Sequence, residues 1–255
     1  MAEKETTFHF KQFDIAQDRC AMKVGTDGVL LGAWAFSRTE NPRSAATVRI
    51  LDIGCGTGLI AIMLAQRFSA DGCRQFHIDA VEIDHDAACQ AVENAAATPW
   101  SAQIAVHPCS LRDFMADAPA DALPYDFIVT NPPFYNATLK PDDAGRATAR
   151  HKDALPLREI MQCAKSRLTA DGTLAMIYPT DYDGEVMTEA VLAGLSPMRI
   201  CNVLTKIGKP AKRRMLEIAH KAIGCETSTL ALRDADGQYT AEYRKLTEPF
   251  YIRLA

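Results

Sequence analysis

From residue 48 onward, short runs of β-branched and apolar residues take turns with longer, alanine-rich stretches whose apolar positions recur at helical spacing. The runs VRILDI (48–53), FHIDAVEI (76–83), AQIAVH (102–107), YDFIVT (125–130) and GTLAMIYP (172–179) predict strands, the last entered through the turn ADG. Between and after them, GLIAIMLAQRF (58–68), HDAACQAVENAAA (85–97), LREIMQCAKSRL (157–168) and DGEVMTEAVLAGL (183–195) predict helices. Such alternation is the pattern of an α/β protein with a mostly parallel sheet. Two longer strand-like segments follow, MRICNVLTKI (198–207) and RMLEIAHKAI (214–223), and the short link GKPAKR between them suits antiparallel neighbours. The tail adds a strand-like STLALR and a helix-like TAEYRKLTEPFYIRL.

Three stretches depart from the alternation: residues 8–34, a polar and basic segment at 135–152, and residues 206–214, which hold five positive charges and no negative one. With no internal repeat, the chain reads as one structural domain: an extension over 1–47 and a main body over 48–255.

Composition narrows the picture modestly. The 255 residues are 48% hydrophobic, enough for a substantial core, and the formal net charge of -4 offers no global field for nucleic acid, so any such contact must be local. The eight cysteines, at 20, 55, 73, 89, 109, 163, 201 and 225, form no Cys-x-x-Cys pair and have no His at zinc-ligand spacing. They are expected to be reduced and mostly buried, with no metal site. No basic segment leads into an apolar core at the amino end, and no apolar run approaches the roughly 18 residues of a membrane helix, so a soluble, cytoplasmic protein without a membrane partner is expected.

Candidate chemistry starts at LDIGCGTGLI. Gly54, Gly56 and Gly58 stand between a strand and a helix, where missing side chains let backbone N–H groups approach a ligand. A dinucleotide loop would carry its third glycine where Leu59 stands, so the spacing disfavours a pyrophosphate ligand. Asp52, just before the loop, would repel a phosphate and welcome a sulfonium or ammonium group. In VEID, Glu82 ends the second strand of the alternation, where an acid can accept hydrogen bonds from both hydroxyls of a ribose. Capping of the next helix is the other use open to Glu82 and Asp84.

The fourth strand stops at Asn131-Pro132-Pro133-Phe134. An exocyclic aromatic amine is a poor nucleophile because its lone pair is delocalised into the ring. If the Asn131 side-chain oxygen and the Pro132 carbonyl each accept one N–H, the nitrogen moves toward tetrahedral geometry and its lone pair is freed. The prolines hold that carbonyl in place, and Phe134 can stack on a flat base. No strong general base is required, because an amine that has attacked a positively charged electrophile becomes acidic and releases its proton to water.

LDIGCGTG and VEID together resemble the cofactor site of the class I S-adenosylmethionine-dependent methyltransferases. The resemblance implies a Rossmann-like, seven-stranded, mostly parallel sheet with one antiparallel strand and helices on both faces. Such enzymes commonly place an acid after the third strand against the cofactor's adenine. Here Cys109 and Ser110 stand there, with Asp113 further along, and the adenine contact stays open. NPPF resembles the (D/N/S)PP(Y/F/W) motif of enzymes that methylate amine nitrogen of adenine, guanine or glutamine.

Over nearly the whole chain, FKQF…DRCAMKVGTDGVLLGAW, LDIGCGTGLIAIMLAQR, TPWSAQIAVH, NPPFYN and YTAEYRKLTEPFY resemble the bacterial tRNA valine adenine-37 N6-methyltransferase family. The likeness implies methyl transfer from S-adenosylmethionine to N6 of the adenine beside the anticodon. Asn131, Pro132, Pro133 and Phe134 would then be catalytic or base-binding, and Gly54, Gly56, Gly58 and Glu82 would hold the cofactor. Lys23, Thr26 and Asp27 would close over its methionine end; Thr26 and Asp27 also suit helix caps before GVLLGAW. Local cations would meet the anticodon loop: Arg146, Arg150 and Lys152 after the tetrapeptide, and Lys209, Lys212, Arg213 and Arg214 in the basic link. No obligatory protein partner is evident. Other readings are a guanine-N2 methyltransferase of ribosomal RNA, a protein glutamine-N5 methyltransferase, and an RNA-binding scaffold with a vestigial cofactor loop.

Overall fold

Both faces of the strand runs are apolar, and that dictates two layers of helix. In the computed structural model, which describes residues 6–37, 47–73, 75–119, 121–134 and 155–253, Val48 and Ile50 of β3 (Val48–Ile53) join Phe127 and Val129 of β6 (Tyr125–Thr130) in one core. Leu51 and Ile53, with Ile128, enter the other.

The remaining strands are β1 (Thr7–His9), β2 (Asp14–Ala16), β4 (Phe76–Glu82), β5 (Ile104–Pro108), β7 (Leu168–Pro179), β8 (Ser196–Leu204), β9 (Ala211–Ala219) and β10 (Glu226–Ala231). β1 and β2 form a separate antiparallel hairpin; the others make one sheet in the order β10-β8-β9-β7-β6-β3-β4-β5. β9 runs antiparallel to both neighbours, β7 and β8, and the other pairings are parallel. The expected class is therefore present, with two differences: β10 adds an eighth strand at the edge, and the hairpin occupies part of the expected extension.

Helices α1 (Thr26–Trp34), α2 (Leu59–Ala70), α3 (His85–Ala96) and α7 (Ala241–Thr247) cover one face, and α4 (Leu111–Ala116), α5 (Leu157–Arg167) and α6 (Asp183–Ala193) the other. α5 shows the one-sided pattern of a surface helix, burying Leu157, Ile160, Met161 and Ala164 while Arg158, Lys165 and Ser166 face water. α2 is buried along nearly its whole length because α1 lies on it. The approach is close: a Cβ on Gly32 would stand 2.8 Å from the Met63 sulfur.

Several boundaries differ from the sequence expectations for local reasons. β7 starts at Leu168 and passes straight through ADG, which is an irregularity within the strand: the β6 partners jump from Tyr125↔Leu168 to Phe127↔Thr173. The tail helix stops at Thr247: Glu248 still has helical backbone angles, but Pro249 has no N–H to continue the ladder. The chain then bridges back, Tyr251 pairing with Phe10, so that Phe8, Phe10, Phe13 and Tyr251 form an aromatic cluster. All eight cysteines are free; only Cys55, Cys163 and Cys201 are buried, so the expectation of mostly buried thiols is corrected. Among the described residues no helix is long and apolar enough to cross a membrane.

One buried ionic cluster pins the carboxyl end of α1. Arg199 of β8 donates to Glu217 of β9 at 2.8 Å and to the Trp34 carbonyl at 2.8 Å, and its guanidinium lies 3.8 Å above the Trp34 ring. Glu217 accepts the Phe36 N–H at 2.6 Å, and Arg67 donates to the carbonyls of Gly32 and Ala35. Phe36 itself has φ +59°, a left-handed conformation uncommon for a bulky residue.

Candidate functional site

The carboxyl ends of the central strands bring the two sequence motifs together. The last residues of β3 and β6, Ile53 and Thr130, are register partners, and the Thr130 hydroxyl donates to the Ile53 carbonyl at 2.9 Å. Neighbouring strands lie about 4.8 Å apart, so Gly54 and Asn131 leave the sheet side by side. On the other flank Ile53 pairs with Val81, which puts Glu82 at the same edge.

Gly54, Gly56 and Gly58 have φ of +71°, +54° and +80°, so the loop is wound in a form that L side chains rarely adopt. The loop is tied down by N–H bonds from Gly54 and Cys55 to the Val81 carbonyl. Glu82, largely buried, accepts the Gly56 N–H on Oε2 at 2.8 Å and the Asp84 N–H on Oε1 at 2.9 Å. Two backbone donors thus fix its plane, and each carboxylate oxygen keeps a further lone pair for a hydroxyl. The helix cap is Asp84 alone, which accepts the Ala87 N–H at 2.9 Å.

Asp52 lies under the loop and is 0% exposed; one oxygen accepts the Ala61 N–H at 3.1 Å, while Oδ1 is buried without a partner. Direct contact with a ligand is not open to it in this arrangement, and its geometry ties the loop to α2. Burial pushes its carboxyl up to about 7, the Ala61 N–H opposing and the Glu82 charge adding to the rise. Between the ordinary value near 3.8 and about 7 the unfolded chain is ionised there while the folded protein keeps the proton, so raising pH through that window removes stability. The slope is about 1.4 kcal/mol per pH unit for one carboxyl. In urea titrations Asp52→Asn is expected to gain on the parent protein from pH 4 to 7, with a constant advantage above; parallel curves would show that Asp52 does not titrate in this range.

The extension lies against this loop. Asn94 of α3 exchanges hydrogen bonds with the Ala16 backbone and donates to the Thr57 carbonyl, while Gln90 donates to Asp18. Cys20 follows, its sulfur 3.9 Å from the place a Cβ on Gly56 would take; burial and then the Glu82 and Asp84 charges push its thiol up. Lys23 and Thr26 are exposed at the start of α1. The cap is Gly25, which offers no side chain, so Thr26 and Asp27 are first-turn residues and not the caps expected. Asp27 instead accepts Arg213 Nε at 2.7 Å, linking α1 to the start of β9.

Beyond β6, Asn131 is half-buried and no described residue hydrogen-bonds its amide; Pro132 is buried. Phe134 packs on Tyr182 at 4.8 Å between ring centroids and on Tyr178 at 6.3 Å. Tyr182 lies just past the end of β7, in the turn Thr180–Tyr182, and Tyr178 donates to Asp183 at 2.9 Å. Asp183 also pairs with Arg214. Local pattern gave no sign of Tyr182, Tyr178 or Cys20, since each reaches the site through tertiary packing.

Of the expected RNA contacts, Lys209 and Lys212 are exposed, whereas Arg213 and Arg214 are committed to Asp27 and Asp183. Arg146, Arg150 and Lys152 lie outside the described residues. Ser110 caps α4, accepting the Asp113 N–H at 3.0 Å and donating to its carboxylate at 2.6 Å. Among the described residues no group of three or more His, Cys, Asp or Glu is placed to hold a metal.

Comparison with known proteins agrees with this geometry. The sequence model of the family described as Methyltransferase small domain matches residues 39–196. The tRNA1(Val) (adenine(37)-N6)-methyltransferase of Aeromonas hydrophila is 42% identical over 251 residues, covering 98% of this chain and 99% of its own. The protein of the same name from Bacteroides fragilis is 42% identical over 248 residues, covering 97% and 98%. Among solved structures, a predicted O-methyltransferase from Agrobacterium tumefaciens superimposes with a TM-score of 0.59 at 17% identity, over 88% of this chain and 96% of that one, a likeness of fold.

Proposed function

We propose, from the premise that this chain belongs to the bacterial tRNA1(Val) (adenine(37)-N6)-methyltransferase family, that it methylates the exocyclic N6 amine of adenine 37, beside the anticodon of a valine tRNA. The observation that supports the reading best is the Ile53–Thr130 register, which sets an amide side chain next to a glycine loop backed by an oriented carboxylate.

S-adenosylmethionine is the cofactor, and it supplies an electrophilic methyl group on a sulfonium sulfur when bound. The residues present suit it: glycine at 54, 56 and 58 leaves three of the loop's five positions without a side chain, and the Glu82 carboxylate has acceptor capacity for both ribose hydroxyls. Lys23, Thr26 and Asp27 would close over the methionine end, Asp27 while it accepts from Arg213, and Asp52 ties the strand before the loop to the helix after it. Ser110, being a helix cap, presents at most its remaining lone pair to the adenine ring.

Asn131 and the Pro132 carbonyl accept the two N–H bonds of the target amine. Removing the lone pair from ring conjugation makes the nitrogen nucleophilic, and the paired prolines keep the carbonyl from relaxing. Phe134 stacks on the extruded base, and Tyr182 and Tyr178 hold that ring from behind. An unpaired loop base costs less to splay out than one in a duplex. The methylated nitrogen then gives its proton to water, which accounts for a mechanism without a general base at Asn131.

Nucleoside mass analysis of individual tRNAs, from cells with and without the gene, tests the assignment. N6-methyladenosine is expected to vanish from a valine isoacceptor alone; its persistence there, or loss of N2-methylguanosine from ribosomal RNA, would refute it.

A further inference from the structure

We propose that the cleft between the N-terminal hairpin and the C-terminal tail is a second RNA site, which grips backbone phosphates of the tRNA away from the reacting base. The proposal rests on the tRNA reading above. The cleft has a volume of about 340 Å³ and is lined by Lys11, Arg244, Glu248, Tyr251, Ile252 and Arg253. Three exposed cations thus face one carboxylate, on a chain whose overall charge is -4. For a protein that repels RNA in bulk, a local cluster of this kind is where polyanion attraction must come from.

The cleft is built, not a chance meeting of loose ends. The Lys11 N–H donates to the Phe250 carbonyl at 2.8 Å, Phe10 bridges to Tyr251, and Lys11 Nζ donates to the Glu248 carbonyl at 2.6 Å. Gln66 of α2 donates to the Pro249 carbonyl at 3.0 Å, fixing the tail to the body. Arg244 spends Nε on the Tyr239 carbonyl, and its two terminal nitrogens have no partner among the described residues, a fork suited to a phosphodiester. Arg213 and Arg214, by contrast, are already matched by carboxylates.

Location fits the same role. Gln66 stands eight residues along α2 from Gly58, about 12 Å at helical rise, so the cleft is set apart from the glycine loop. Neither wall falls within residues 39–196, the span shared with the methyltransferase domain family. The cleft is an addition to the methyl-transfer fold, as a substrate-specific grip would be.

The test uses the full chain carrying Lys11→Gln and Arg253→Gln, exposed positions where the lost bond from Lys11 to the Glu248 carbonyl should lower the thermal midpoint only slightly, the backbone bond from Lys11 to Phe250 being kept. Initial rates of tRNA methylation are measured across salt concentrations. A KM raised about tenfold near 0.15 M salt, an unchanged kcat, and a log KM against log salt slope shallower by about 1 to 2 are expected. Lys11→Arg with Arg253→Lys should restore the parent values. An active double variant with the parent KM and slope overturns the cleft and leaves the tRNA reading intact. Should the parent protein fail to methylate tRNA, that reading falls, and fluorescence anisotropy with labelled tRNA judges the cleft alone: equal affinity for both proteins overturns it.

Discussion

Replacing Asn131 with alanine is expected to slow methyl transfer by about a hundredfold to a thousandfold while S-adenosylmethionine still binds with its normal affinity. The asymmetry follows from the geometry. The cofactor loop is held by its own bonds to Val81 and Glu82, with the Asp52 carboxyl anchoring the helix that follows through Ala61, and none of these passes through Asn131. What the alanine removes is an acceptor that favours the amine most when the nitrogen has given up its conjugation, so the loss falls on kcat. Single-turnover rates at saturating tRNA, beside calorimetric titration of the cofactor, separate the two effects. A parallel drop in cofactor affinity and rate would mean that residue 131 shapes the loop and does not act on the base.

Removing Glu217 is expected to cost about 3 to 5 kcal/mol of stability. Burial pushes its carboxyl up and the Arg199 guanidinium pulls it down, and alanine would leave that guanidinium buried over Trp34 with its counter-charge gone. The Phe36 N–H, held in a left-handed turn, would lose its acceptor as well. Urea unfolding measures the cost. Replacing both partners with apolar residues of similar volume, Arg199→Met with Glu217→Leu, should recover much of it. A Glu217→Ala protein within 1 kcal/mol of its parent would show that the cluster relaxes onto water. Because α1 starts at Thr26, packs through Gly28 on Leu59 just after the glycine loop, and ends at this cluster, a loosened end should also weaken cofactor binding modestly.

The sequence made some of this legible and hid the rest for identifiable reasons. β3 and β6 were bounded to the residue because each is an apolar run closed by a glycine or a proline pair, signals carried within six or seven positions. The placement of Gly54, Glu82 and Asn131 at strand ends followed from the same local punctuation, and parallel pairing then aligned those ends. The fates of Arg213 and Arg214 were invisible: in the chain they form a basic run, yet their carboxylates come from Asp27 and Asp183 on other elements. Tyr182 likewise meets Phe134 only once β6 and β7 are neighbours. The start of α1 misled because Thr26 and Asp27 are good capping residues by type, while the backbone turns one position earlier, at Gly25.

The bridge between Phe10 and Tyr251 constrains the order in which the protein can be made. The hairpin leaves the ribosome early, but the ring that completes its aromatic cluster is translated roughly 240 residues later, a wait of about 12 to 48 s at ordinary elongation speeds. During that interval Phe8, Phe10 and Phe13 lack their final cover. Newly synthesised chains should therefore be most prone to capture by chaperones just before translation reaches the tail.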